Sequence, residues 1–144
     1  MYIVDPQAAR EAMRSAFGAE RYAKFVSELN GRCQAKKRLF YWQESMWDQV
    51  QKTLGTHITD FEEVSNLFRH CHVHGSELKS ELVPVLYGTH QLTGKYIDTM
   101  ESLFPHANSV FLGPCWHESP TERKVFFCEL CREAREKWEA QRGA

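Results

Sequence analysis

Cys71-His72-Val73-His74-Gly75 and Cys128-Glu129-Leu130-Cys131 are the two stretches on which a reading of this chain turns. Each sets two soft or borderline metal ligands three positions apart, a spacing at which one tight turn aims both side chains at a single ion. Three thiolates and one imidazole are the donor set of a tetrahedral Zn²⁺ site. The interval between the pairs, Gly75 to Phe127, far exceeds that of a minimal zinc finger. One ion holding both pairs therefore staples residues remote in sequence. Gly75 suits the exit of such a turn, where the backbone enters a conformation costly for other residues. It favours His74 as the ligand over His72, whose side chain diverges from that of its neighbour Cys71.

The last pair sits where a strand-like stretch, Lys124 to Phe127, meets a helical one, Glu129 to Gln141. Cys131 then falls in a first helical turn, where the helix dipole favours a thiolate. Four protein ligands leave no open coordination position. A closed site contributes folding free energy rather than Lewis acidity. Cys115, after Gly113-Pro114, is the rival ligand that competes with His74. Cys33 reads as a core residue.

Knuckle, short strands and a second knuckle opening a helix together resemble a treble-clef zinc finger. The resemblance covers roughly residues 71–141 and rests on Cys71, His74, Gly75, Cys128 and Cys131. It implies a structural zinc ion and a small sheet leading into a helix. The chain departs from a small treble clef in its long middle, with a helical stretch near Lys95–Phe104, and in having a Cys/His first pair. A zinc ribbon, with both knuckles on hairpins, remains the other topology for this pattern.

The 144 residues suit one compact domain in two parts, a helical part over 1–70 and a zinc-binding module over 71–144. With 42% hydrophobic residues, four Trp, nine Phe and five Tyr, the chain can bury a core. Its net charge of −1 gives no global attraction to nucleic acid or anionic membrane. The first residues lack a basic stretch followed by an apolar one, and no apolar run nears the roughly 20 residues that cross a bilayer. These features place the expected location in the cytoplasm. There, disulfides are disfavoured and the five cysteines turn toward metal ligation or burial.

Asp5-Pro6 reads as a helix start, with Ala9, Met13, Ala16 and Phe17 on one face and Gly18 as an end or kink. Tyr22, Phe25, Val26 and Leu29 continue at helical spacing to Asn30-Gly31. From Ala35 to Leu54, a stripe of Leu39, Trp42, Met46, Val50 and Leu54, widened by Phe40 and Trp47, predicts one long helix stopped by Gly55. Its aromatic side is expected to meet the N-terminal helices or the last helix through Trp138. Thr59 with Glu62 resembles a capping box for a helix running into Cys71. Beyond the knuckle, Glu81 to Tyr87 predicts a strand that Pro84 confines to an edge or bulge. Tyr96, Ile97, Met100, Leu103 and Phe104 predict a helix stopped by Pro105. Ser109 to Leu112 reads as another strand, and Leu130, Ala134 and Trp138 mark the inner side of the final helix.

The expected fold is α+β: three to four N-terminal helices packed on a zinc-stapled module of short strands and two helices. The leading functional expectation is a small cytosolic zinc-binding protein acting without catalysis through contact with a protein partner or by self-association, as an adaptor, accessory or inhibitory subunit, and not at a membrane. The alternative is a nucleic-acid-binding zinc module. Its basic cluster, Arg32, Lys36, Lys37 and Arg38, lies beside Phe40, Tyr41 and Trp42 and suits phosphate contact. Acids such as Glu44 and Asp48 dilute that field and offer i,i+4 pairing instead. A third reading casts Asn108 and His117, assisted by His90 or His106, in a His-Asn-His type nuclease. No His-rich hairpin motif supports it, and its ordinary counterpart is a set of surface or turn histidines.

Overall fold

The structure, a computed structural model, describes residues 4–87, 94–112 and 121–142. It is α+β, and it divides into two compact units, residues 1–70 and 71–144.

The first unit is helical: α1 (Pro6–Leu29), α2 (Arg32–Lys36), α3 (Tyr41–Leu54) and α4 (Phe61–Leu67). Asp5 precedes Pro6 at the start of α1, and Gly18 kinks that helix with φ 87° rather than ending it. The faces on either side of the kink, Ala9 and Met13, then Tyr22, Phe25, Val26 and Leu29, are buried; Ala16 is exposed. They close on Met46, Trp47 and Val50 of α3 and on Val64, Leu67 and Phe68 at α4. Phe68 lies edge-on to Phe25 at 5.0 Å and to Trp47 at 5.7 Å, and so forms the centre of the unit. The aromatic stripe of α3 is thus matched by α1 and α4, whereas Trp138 belongs to the core of the second unit.

Two boundaries differ from the periodic pattern. The long helix expected from Ala35 is broken at Lys37, which takes a left-handed φ of 55°, and α3 begins only at Tyr41. Gln43 explains the later start. Its side-chain oxygen accepts the Phe40 N–H at 2.8 Å and the Cys33 S–H at 3.0 Å, while its amide donates to the Phe25 carbonyl at 3.2 Å. One buried amide therefore caps α3 and ties it to α1 and α2. Cys33 is core, as expected, at 1% exposure. Helix α4 is capped by Asp60, whose carboxylate accepts from the Glu63 N–H at 3.1 Å, and not by Thr59. The carboxylate is the stronger acceptor and stands directly before the first helical residue.

The second unit carries β1 (Lys79–Leu86), α5 (Gly94–Leu103), β2 (Phe111–Leu112), β3 (Glu122–Phe127) and α6 (Glu129–Arg142). Its sheet runs β2-β1-β3, with β1 antiparallel to β3 and parallel to β2. The parallel pair follows from α5, which lies between β1 and β2 in the chain and supplies the crossover that parallel strands need. Strand β1 is therefore central, and the edge position expected from Pro84 is corrected. The backbone shows how proline is tolerated. The Val85 N–H points toward the β3 side, to the Thr121 carbonyl at 2.9 Å. The Pro84 nitrogen faces the opposite side, where β2 pairing begins one residue later, at Val85. Locally the missing N–H costs no ladder bond.

Helices α5 and α6 meet through Tyr96, Phe104 and Trp138, whose rings lie 5.5–6.1 Å apart. The inner face of α6 is Cys131, Ala134 and Trp138; Leu130 and, on α5, Leu103 are exposed instead. Arg132 lies 3.6 Å over the Phe127 ring, and Arg135 donates to the Ala107 carbonyl at 2.8 Å. Arg132 thereby holds the end of β3, and Arg135 the segment before β2, to α6.

Candidate metal centre

The knuckle after α4 is built by backbone chemistry. The Cys71 N–H donates to the Ser76 carbonyl at 2.7 Å, and the Gly75 N–H returns to the Cys71 carbonyl at 2.9 Å. Gly75 leaves the turn with φ 70°, a conformation that a Cβ would strain although the space around it is open. Inside the turn, the His74 N–H points at the Cys71 sulfur at 3.4 Å. The second pair is aimed by the junction of β3 and α6. Cys128 ends the strand, its N–H held by the His106 carbonyl at 2.8 Å, and Cys131 lies in the first turn of α6.

These two turns bring the Sγ atoms of Cys71, Cys128 and Cys131 and one ring nitrogen of His74 within 4.8 Å of one another. The Cys71 sulfur is 3.6 Å from that of Cys131. His74 Nδ1 lies 3.3 Å from Cys131, 3.6 Å from Cys71 and 3.8 Å from Cys128. Tetrahedral bonds of about 2.3 Å to sulfur and about 2.0 Å to nitrogen require S···S edges near 3.8 Å and S···N edges near 3.5 Å. The Cys71–Cys131 edge and the three S···N edges fit a metal ion held by the four residues. They do not fit a disulfide, and Cys71, Cys128 and Cys131 are all free thiols. All three cysteines are fully buried and His74 is half-buried.

Without a cation the pocket holds its charge unevenly. The hydrogen bond between the Cys71 and Cys131 sulfurs, with the amides of His74 and Val73, pulls Cys71 down. The same bond and the same burial push Cys131 up. A divalent ion takes both as thiolates and removes this asymmetry. The Ser76 hydroxyl, 3.1 Å from the Cys128 sulfur, adds a polar partner at the second pair.

Of the other histidines, His72 turns away from the sulfurs, as its position beside Cys71 suggests. Its Nδ1 meets His106 Nε2 at 3.2 Å, and the two rings lie edge to face at 5.1 Å. His106 lies in a turn, one of the two places expected, but at 2% exposure it is buried rather than at the surface. Burial pushes both rings down, His106 to about 4, so the pair shares one N–H as neutral imidazoles. No spacing rule marks His106. Its role comes from its backbone, which holds Cys128, and from its ring, which backs the first knuckle. Ser76 likewise carries no mark beyond following Gly75. Asn108 donates its amide to the Phe126 carbonyl at 2.8 Å, a structural use. Cys115, His90 and His117 lie outside the described residues. No helix among the described residues is long and apolar enough to cross a membrane.

Comparison with protein-family models, with curated proteins and with solved structures returns no significant match.

Proposed function

We propose that Cys71, His74, Cys128 and Cys131 hold one structural Zn²⁺ and that the protein acts without catalysis, through contact with another protein, as an adaptor, accessory or inhibitory subunit. The observation that carries this reading is the convergence of three sulfurs and one nitrogen, from two separate knuckles, to within 4.8 Å of one another. Sulfur-rich four-ligand sites select zinc among the common divalent ions and leave no position for water or substrate. Thiolate ligands call for a reducing compartment, which supports a cytoplasmic setting. The treble-clef reading draws support from the order of parts. A knuckle leads into β1, β1 pairs antiparallel with β3, and β3 delivers the second knuckle into α6.

Protein contact draws support from the outer face of the sheet. Leu82, Pro84 and Leu86 alternate along β1 on one face, and register puts Leu112 beside Leu86. Leu82 is 65% exposed, with Leu86 and Leu112 at 44% each. Adjacent exposed leucines on a sheet mark a surface that gains by being covered. A nuclease draws less support among the described residues, because Asn108 and His106 are both engaged in holding the fold.

Elemental analysis tests the metal, with one zinc per chain expected. Cobalt(II) exchanged into the site should give the intense visible absorption of tetrahedral thiolate ligation, weakened by Cys128→Ser. Protein purified metal-free with an unchanged melting temperature sinks the proposal. The contact surface is tested by a photo-crosslinker at position 82, whose protein adduct should disappear in Leu86→Lys.

A further inference from the structure

The first unit carries a second constellation, independent of the metal reading. At the turn between α2 and α3, Phe40 and Trp42 stack nearly parallel, 6.5 Å apart and 11° from coplanar. Three cations from two helices are drawn onto these rings. Arg32 lies 5.0 Å and Lys36 5.8 Å from the Phe40 centroid, and Lys24 of α1 lies 5.4 Å from that of Trp42. Cation–π contact fixes long flexible arms that would otherwise sample many rotamers. Between the two rings in sequence stands Tyr41, 87% exposed. Arg38, in the same turn, is exposed as well.

The structure changes the cluster visible in the sequence. Lys37 drops out, because its ammonium pairs with Glu62 at 3.3 Å. Lys24 joins from a helix seventeen positions upstream of Tyr41. Arg32 is held by Glu28 at 2.6 Å, which orients its guanidinium and offsets part of its charge. Among the described residues, no ion pair engages Lys24, Lys36 or Arg38. Cations fixed on the rings that flank an open aromatic residue in the chain match a ligand that alternates negative charge with flat apolar faces.

We infer that the surface formed by Lys24, Arg32, Lys36, Arg38 and Tyr41 binds single-stranded nucleic acid, the cations facing backbone phosphates and one base stacking on the Tyr41 ring. Single strands are favoured over a duplex because a stacking ring needs a base free of its neighbours. They are favoured over an acidic peptide because carboxylate side chains make no use of an open ring. Phe40 and Trp42 already have cations on their faces, so Tyr41 is the one ring of the three left to receive a base. With three or four phosphates engaged, the logarithm of the binding constant should fall with the logarithm of salt at a slope of about −2 to −3.

The test is fluorescence anisotropy of the full zinc-loaded chain with a labelled 12-residue oligouridylate between about 25 and 200 mM salt. Tyr41→Ala should weaken binding about tenfold or more with the salt slope unchanged. Lys36→Gln should lower the slope by about one. Both residues are exposed, so the variants should keep the parent's circular dichroism, and Lys95→Gln on the other unit should bind as the parent does. Absence of binding at the lowest salt overturns the inference. So does unchanged affinity in Tyr41→Ala, which reduces the surface to unspecific charge. Equal competition by polyglutamate or by a duplex of the same length assigns the surface to a different partner and overturns it too.

Discussion

The first unit closes around hydrocarbon, with Met13, Phe25, Trp47, Val50, Val64 and Phe68 drawn from α1, α3 and α4 with its C-cap onto one another. Among the described residues of the second unit, two knuckles' worth of the core is polar: Cys71, Cys128 and Cys131 are buried beside Leu78, Phe104, Ala107 and Phe126. Buried thiolates and imidazole add little hydrophobic free energy, and without a cation they carry desolvation cost. A unit of this size that commits three cysteines and a histidine to its interior gains most from a staple. The contrast teaches that similar lengths of chain reach a fixed shape by different means. Each means has its own point of failure.

Metal removal is the strongest way to break the comparison. Structural zinc contributes on the order of 10 kcal/mol to finger-sized folds. A strong chelator, or Cys131→Ser, should therefore abolish slow hydrogen exchange across β1 and β3 while leaving the amides of α1 and α3 protected. Protection retained in both units would mean that the second core suffices alone. Phe68→Ala tests the reverse. Truncating a ring at the meeting point of two others should cost about 3–5 kcal/mol, seen as a lower denaturant midpoint for the helical unit.

Acid sharpens the contrast. His106 titrates at about 4 in the folded chain, below its ordinary 6.5, so the unfolded chain takes up its proton first as pH falls. The stabilisation is complete above about pH 6.5 and is lost between there and about 4, with about 2 kcal/mol gone at pH 5. Urea unfolding of zinc-loaded protein at pH 7.5 and 5.0 should show this loss, and His106→Gln should remove that share of it. The smallest effect is expected at Gly75. Alanine there meets open space but a left-handed backbone, costing about 1 kcal/mol and weakening zinc affinity roughly fivefold to tenfold. Competition with a chromophoric chelator measures it.

What could be read from the chain depended on how local the cause was. The ligand pairs, Gly75 and the strand-to-helix junction before Cys131 are marked by neighbours within four residues. The α1 face is equally plain, because its period runs on either side of a glycine. The break at Lys37 was hidden, since a lysine carries no sign of a left-handed backbone and Leu39 continues the stripe. Its cause is Gln43, which reaches back across the turn and to another helix. The central place of β1 was hidden for a similar reason. Pro84 excludes only one direction of pairing, and which side that is depends on a partner strand forty residues away. The His72–His106 contact joins residues whose meeting depends on the whole second unit.

Pro84 has a further consequence. A strand of another molecule, seeking to lengthen β2 backward along β1, would arrive at a backbone nitrogen with nothing to donate. The sheet is thereby closed to growth in that direction, and fibrous self-assembly is discouraged along a row that its leucines would otherwise make attractive.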